Sequence, residues 1–368
     1  MMSAPALTPA YRGSWLFAGL ALVTLGLWLL ARSPVSAATE QLLLLRLYEL
    51  PRLGLAVVCG AAMGFAGLLI QQVIRNPFAS PSTLGINAGA MLGVTLAVAW
   101  GSHLGLSPLG GLLGGLAAGA LTLLLSRRLG GSPVHMVLIG MIINLSLNGL
   151  AAILLLLFEN SLDGLYIWGA GNLHLHDYSP FWWISGLLLL IIAGSSPLAR
   201  SLDLFALGTA RAASLGVSVK LIQALALGGA IILASVVCSL VGMISFVGLI
   251  APHLAQGCGA RTSVGKALWS MAWGALILLG ADVLARLLGG DNISVPAGAL
   301  TTLLGAPLLL YYLRHRNRHA FQSPTKHSLS LAAPVRARAG AVILVLLGLI
   351  ALGLVVTLEP GATSAKVQ

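Results

Sequence analysis

Charge is the first scarcity. Of 368 residues, only 8% are Asp, Glu, Lys or Arg, against about 25% in a soluble domain. With 58% of residues hydrophobic, no soluble core hides the apolar surface, because folded domains still expose much of theirs. A lipid solvent removes that difficulty. Cysteine is scarce as well: Cys59, Cys238 and Cys258 are scattered in or beside apolar segments, with no CxxC pair. This argues against a disulfide or metal framework and leaves small packing residues. A Walker-type Gly-rich loop is missing, so the chain itself is not expected to hydrolyse ATP, and no catalytic residues or cofactor are expected. Short segments of alternating polarity are missing too. Runs such as 342–356 are continuously apolar apart from Gly348 and Gly353, which argues against a barrel and for helices that satisfy their own backbone hydrogen bonds.

What is present is a long series of apolar segments. About 20 apolar residues cross the hydrocarbon. That ruler predicts helices over 14–31, 53–72, 85–100, 110–126, 134–158, 181–198, 221–241, 245–256, 264–288, 296–313 and 340–356. The expected class is an all-α polytopic membrane protein. The run 14–31 is long for a signal h-region and lacks a good cleavage site, so it reads as a span. The shorter segments are interrupted by Gly and Pro, and broken helices in membrane proteins usually line a cavity.

A formal net charge of +11 would suggest nucleic acid in a soluble protein. Here the bases sit in short connectors and report topology instead, so no nucleic-acid partner is expected. With the N-terminus inside, the inner connectors hold Arg12, Arg127, Arg128, Arg200, Arg211, Lys220, Arg261 and the run from Arg314 to Arg338. The outer side receives only Arg32, Arg46, Arg52, Arg286 and Lys366. That asymmetry fits the positive-inside rule. The basic stretch 319–339 reads as an inner linker between a unit over 1–318 and an extra helix within 340–368.

Four motif stretches stand out. The first runs through Gly60, Gly64 and Gly67, which permit close helix approach, to Gln71-Gln72 and Arg75-Asn76-Pro77. Pro77 biases Asn76 away from the helix, and Pro81, Ser82, Thr83, Leu84 and Gly85 follow. The second is Arg200 to Asp203 and then Leu207-Gly208 to Leu215-Gly216, a mildly polar loop. A short helix there would offer Leu207, Ala213 and Leu215 to another protein. The third is Gly242 to His253, containing Phe246-Val247-Gly248-Leu249-Ile250-Ala251-Pro252. The fourth holds Asp282 and Arg286, four apart on one helix face, then Pro296, Gly298 and Gly305-Ala306-Pro307. An ionisable residue within a span is functional by default. His174 and His176 form His-x-His beside Asp177, but two histidines without further ligands read as a solvated loop, not a metal site.

Taken in order over residues 40 to 313, these stretches resemble the iron–siderophore, haem and cobalamin permeases of type II ABC importers. The run around Gln71, Arg75 and Ser82 to Gly85 is most similar to the first half of the tandem ferric-hydroxamate permeases. The resemblance implies a ten-helix permease unit, with residues after 338 beginning a second one. It implies a ferric siderophore as cargo, with haem or cobalamin as alternatives. Two cytoplasmic ATPase subunits, a periplasmic or lipid-anchored binding protein and a second permease unit would be the partners. Arg52 and Arg286 match binding-protein docking positions. A third such position is Glu49 here, one turn from Arg46, which would substitute. Leu207, Gly208, Ala213, Leu215 and Gly216 match the ATPase-coupling segment, although Thr209 and Ala210 stand where the family carries acids. Asn87, Gly89 and Ser245 are placed near the translocation path. The location implied is the bacterial cytoplasmic membrane, and the competing class is an ion-driven secondary transporter with Asp282 as its carboxylate. A phosphatase reporter fused after residue 177 should be active and one fused after residue 212 inactive; the reverse pattern would overturn the orientation.

Overall fold

Proline and glycine set most of the helix boundaries. The structure, a computed structural model, describes residues 49–100, 107–130, 132–158, 165–173, 178–205, 209–216, 218–260, 262–289 and 295–320, with 17–18, 20–22 and 24. Helix α1 (Leu50–Ile74) carries Pro51 in its first turn, where a missing N–H costs nothing, and stops at Arg75 in the left-handed region. α2 (Ile86–Ala99) follows the left-handed Gly85. α3 (Ser107–Arg128) leads to α4 (Pro133–Leu157), where the Ser132 side chain accepts from the His135 N–H at 3.3 Å. A short α5 (Leu165–Gly169) precedes α6 (Ser179–Ser195). α6 continues through a 3-10 turn into α7 (Ala199–Phe205), and α8 (Thr209–Ser214) comes next. α9 (Val219–Val241) ends at Gly242, φ 85°. α10 (Val247–Gly257), α11 (Ser263–Leu288) and α12 (Ala297–Ala320) complete the set.

Among the described residues there is no strand. Six stretches are long and apolar enough to cross a membrane: α1, α3, α4, α6 through α7, α9 and α11. α2 and the first part of α12 are shorter apolar helices. The helices expected over 53–72, 85–100, 110–126, 134–158, 181–198, 221–241, 245–256, 264–288 and 296–313 therefore all exist, with shifted ends. The expected span over 14–31 is described only at scattered residues, of which Phe17 packs edge-on against Trp269 and Trp273 of α11. The linker 319–339 lies beyond the described residues apart from the end of α12, and the helix over 340–356 lies wholly outside them.

α1 is the axis of the bundle. It buries 72% of its apolar window, against 11% for the α6–α7 stretch. Lipid is as apolar as leucine, so close backbone approach rather than water exclusion drives such packing. α1 and α11 run antiparallel and touch where Gly60 faces Gly274: a Cβ on either would overlap the other's carbonyl oxygen. Gly67 does the same against Gly248 of α10. Pro252, four residues after Gly248, has no N–H to offer that carbonyl, so α1 packs on the place where α10 is interrupted. Gly228 of α9, by contrast, has open space around it. Gly67→Val should therefore lower stability by about 1–3 kcal/mol in thermal unfolding in detergent, with Gly228→Val near neutral. Equal effects would contradict this packing.

Candidate functional site

Two helices start inside the bundle. After Arg75 the chain turns back inward: Ala79, Ser80, Pro81 and Leu84 are buried, and Gly140 lies against Thr83, about two turns into α4. Ile86 then meets Gly115 of α3, so α2 begins well within the thickness of the bundle. From the other end, the connection after α9 also turns inward. Phe246, φ 64°, caps α10 in the left-handed region, and α10 packs beside the middle of α1.

Irregular backbone at this depth needs partners, and side chains supply them. Asn87 Nδ2 donates to the Ile244 carbonyl at 3.1 Å and lies 3.5 Å from Ser245 Oγ, while its Oδ1 accepts from Cys238 Sγ at 3.4 Å. Asn87 thus ties the start of α2 to the loop before α10. Gln71 Nε2 of α1 donates to the Leu249 carbonyl at 3.0 Å, and His253 Nδ1 lies 2.7 Å from the same oxygen. Thr122 of α3 donates to the Leu84 carbonyl at 2.9 Å. Asn144 of α4 donates to the Ser82 carbonyl at 2.7 Å, and Asn148 donates to Asn144 Oδ1 at 2.8 Å. This core of amides and hydroxyls surrounds the two interior helix starts.

A second cluster sits at the Leu50 end of α1. Arg52 Nε donates to both oxygens of Asp282, at 2.8 and 3.0 Å, and Nη2 lies 2.7 Å from Oδ1. Asp282 is fully buried and Arg52 nearly so. Arg286 Nε stands 3.8 Å from Asp282, and Arg286 Nη1 stands 3.9 Å from Glu49. The i, i+4 pair expected between Asp282 and Arg286 exists, but the short contacts go to Arg52, 230 residues away in sequence. Two charges taken out of water cost several kcal/mol each, recovered only by good geometry; this fork-shaped contact meets that condition.

The opposite end carries the bases Arg75, Arg127, Arg128, Lys220 and Lys266. There Asp203 of α7 accepts from Ser263 at the start of α11, and α8 leads into Leu215, 61% exposed, and Gly216, φ 82°.

The residues singled out from sequence fall into three sets. Asn87 and Ser245 come together in the core, whereas Gly89 lies in the close contact of α2 with Gly114 and Ala118 of α3. Arg52 and Arg286 share the Asp282 cluster, and Arg46 lies outside the described residues. Ala213, Leu215 and Gly216 are exposed on and after α8, while Leu207, Gly208, His174, His176 and Asp177 lie outside the described residues. Sequence reasoning missed Asn144, Asn148 and Thr122. The available signal was two amides spaced four apart in an otherwise apolar span, a spacing that marks one helix face.

Apolar spans, interior helix breaks and a polar core define a multi-pass helical membrane protein of the transporter type. Residues 15–315 match the FecCD transport family, and the chain belongs to that family. It is 34% identical over 273 residues to the iron(3+)-hydroxamate import system permease protein FhuB of Salmonella typhimurium, covering 72% of this chain and 39% of that one. It is 34% identical over 304 residues to the Fe(3+) dicitrate transport system permease protein FecD of Escherichia coli, covering 80% and 95%. The chain thus spans about two fifths of the FhuB relative and nearly all of FecD. Among solved structures, an inward-facing metal-chelate type ABC transporter superposes with a TM-score of 0.70 at 25% identity, covering 82% of this chain and 99% of that one.

Replacing Arg52 or Asp282 singly by Leu strands a buried charge and should cost about 3–5 kcal/mol. The double variant Arg52→Leu/Asp282→Leu should lose clearly less than the sum. Additive losses in detergent unfolding would contradict a direct pair.

Proposed function

We propose that this chain is the permease unit of an ABC importer that carries ferric siderophores, hydroxamates in particular, across the bacterial cytoplasmic membrane. The observation that carries the reading is identity of 33–34% with permeases whose named cargoes are all iron(3+) chelates, hydroxamate and dicitrate among them. Hydroxamate is the narrower choice, supported by FhuB being matched in two species. Separate ATPase subunits supply the energy, a binding protein delivers the chelate, and a second permease unit completes the path.

The residues divide the work by position. The basic end with Arg75, Lys220 and Lys266 faces the cytoplasm, in keeping with positive-inside placement. Ala213, Leu215 and Gly216, with Leu207 and Gly208, form the segment that meets the ATPase; the exposed Leu215 supports that role. Arg46, Arg52 and Arg286 serve the docking rim at the other end. Arg286 meets the binding protein, and Arg52, buried on Asp282, fixes the helix that carries it. Asn87 and Ser245 border the path, with Asn144 and Asn148 beside them, and Gly89 sets the position of α2. Weak amide and hydroxyl contacts suit a cargo that must leave as readily as it enters. Asp282 is the only carboxylate within a described span other than Asp203 near an end, and it is engaged by Arg52 near the end of α11 rather than standing in the polar core. That favours ATP over an ion gradient.

A bacterium lacking its own hydroxamate permease, given this gene with its native neighbouring genes, should accumulate radio-iron supplied as ferric hydroxamate and stop when ATP is depleted. Entry of haem or cobalamin instead would keep the importer and overturn the cargo. Uptake that survives loss of the ATPase but collapses with the proton gradient would overturn the importer.

A further inference from the structure

At the Ile74 end of α1, one carboxylate joins three helices. Asp203 lies on α7, the helix before α8. Its Oδ1 accepts from both the N–H and the Oγ of Ser263, each at 2.7 Å. Ser263 is the first residue of α11. Gln72 Nε2 of α1 reaches the same Ser263 Oγ at 3.3 Å. A carboxylate set on a helix N-terminus gains from the exposed N–H groups and the helix dipole, and a charge-assisted bond is roughly twice as strong as a neutral one.

Open grooves flank this seam. Cavities of about 110 and 280 Å³ adjoin it, and Leu68, Gln72 and Leu202 line both. Leu202 and Phe205 bury α7 in the core, and the Asp203 bonds set its position on the first turn of α11. α11 then runs as one uninterrupted 26-residue helix to the far end, where Asp282 is clamped to Arg52.

We propose that Asp203 is the positioning residue that transmits displacement of the ATPase-facing segment into α11 and so to the opposite rim. This rests on the ATPase-coupling role of the segment after α7. Pulling α7 moves Ser263, because both of its donors are held by one oxygen. α11 and α1, clamped together by Arg52 and Asp282, then move as one, and the open grooves beside α7 leave room for its displacement.

The test uses the assembled permease–ATPase complex in proteoliposomes, with transport and ATP hydrolysis measured on the same sample. For Asp203→Ala, cargo moved per ATP should fall about tenfold, within the usual range of coupling between sites. ATP hydrolysis and complex mass should stay near wild type. Asp203→Asn, whose amide oxygen still accepts, should recover part of the ratio. Ser263→Ala, which keeps the N–H but loses the hydroxyl, should fall between. An unchanged ratio in Asp203→Ala would overturn the proposal. So would parallel loss of hydrolysis, transport and assembly in all three variants, which is the mark of a merely structural residue. A wild-type complex without ATP-dependent transport would instead overturn the importer reading on which the proposal rests.

Discussion

Lipid offers the backbone no hydrogen bonds, and the architecture of this chain follows from that constraint. Unbroken helices meet it by themselves. The stretches around 76–85 and 242–246 do not, because Pro77, Pro81 and Gly242 end the helices and the chain turns into the bundle. Each exposed carbonyl there has to be met from a neighbour. Asn87 meets Ile244, Thr122 meets Leu84 and Asn144 meets Ser82, while Gln71 adds a bond to the Leu249 carbonyl within α10. These bonds come from α1, α2, α3 and α4, so the broken segments are held only when the surrounding helices are in place. Among the described residues, the same groups gather weakly polar side chains in the interior, where the proposed path runs.

The two ends of the bundle are finished differently. One is closed by a buried ion pair, Arg52 with Asp282, which locks α1 to α11. The other is joined by Asp203 across a seam flanked by open grooves. A helix pinned hard at one end and held by a carboxylate at the other suits a protein that must move without coming apart. Small residues along the α1–α11 contact bring the two backbones together without interlocked side chains.

Helix positions were largely legible in the sequence. Apolar length placed α1 within a few residues, and even α10, only 11 residues long, was marked by the glycine before it and the proline inside it. The short helices α5 and α7 were not legible, since neither has the length to make a periodic signal. Asp282 stood out as a charge within a span, and its neighbour Arg286 followed from helix spacing. Its principal partner, Arg52, did not, because only the crossing of α1 and α11 brings the two together. Asp203 was visible as part of a motif, but its hold on Ser263 depends on where α7 folds back. Long-range pairing of this kind carries no local pattern to read.

The central claim is that Asn87 joins the two inward-turning segments into one core. Amide hydrogen exchange of the Asn87→Ala variant in detergent tests it most directly. If the claim holds, exchange rises together over 76–90 and 242–250 while the middle of α1 and α11 stays protected. A rise confined to one segment, or none in either, would contradict it.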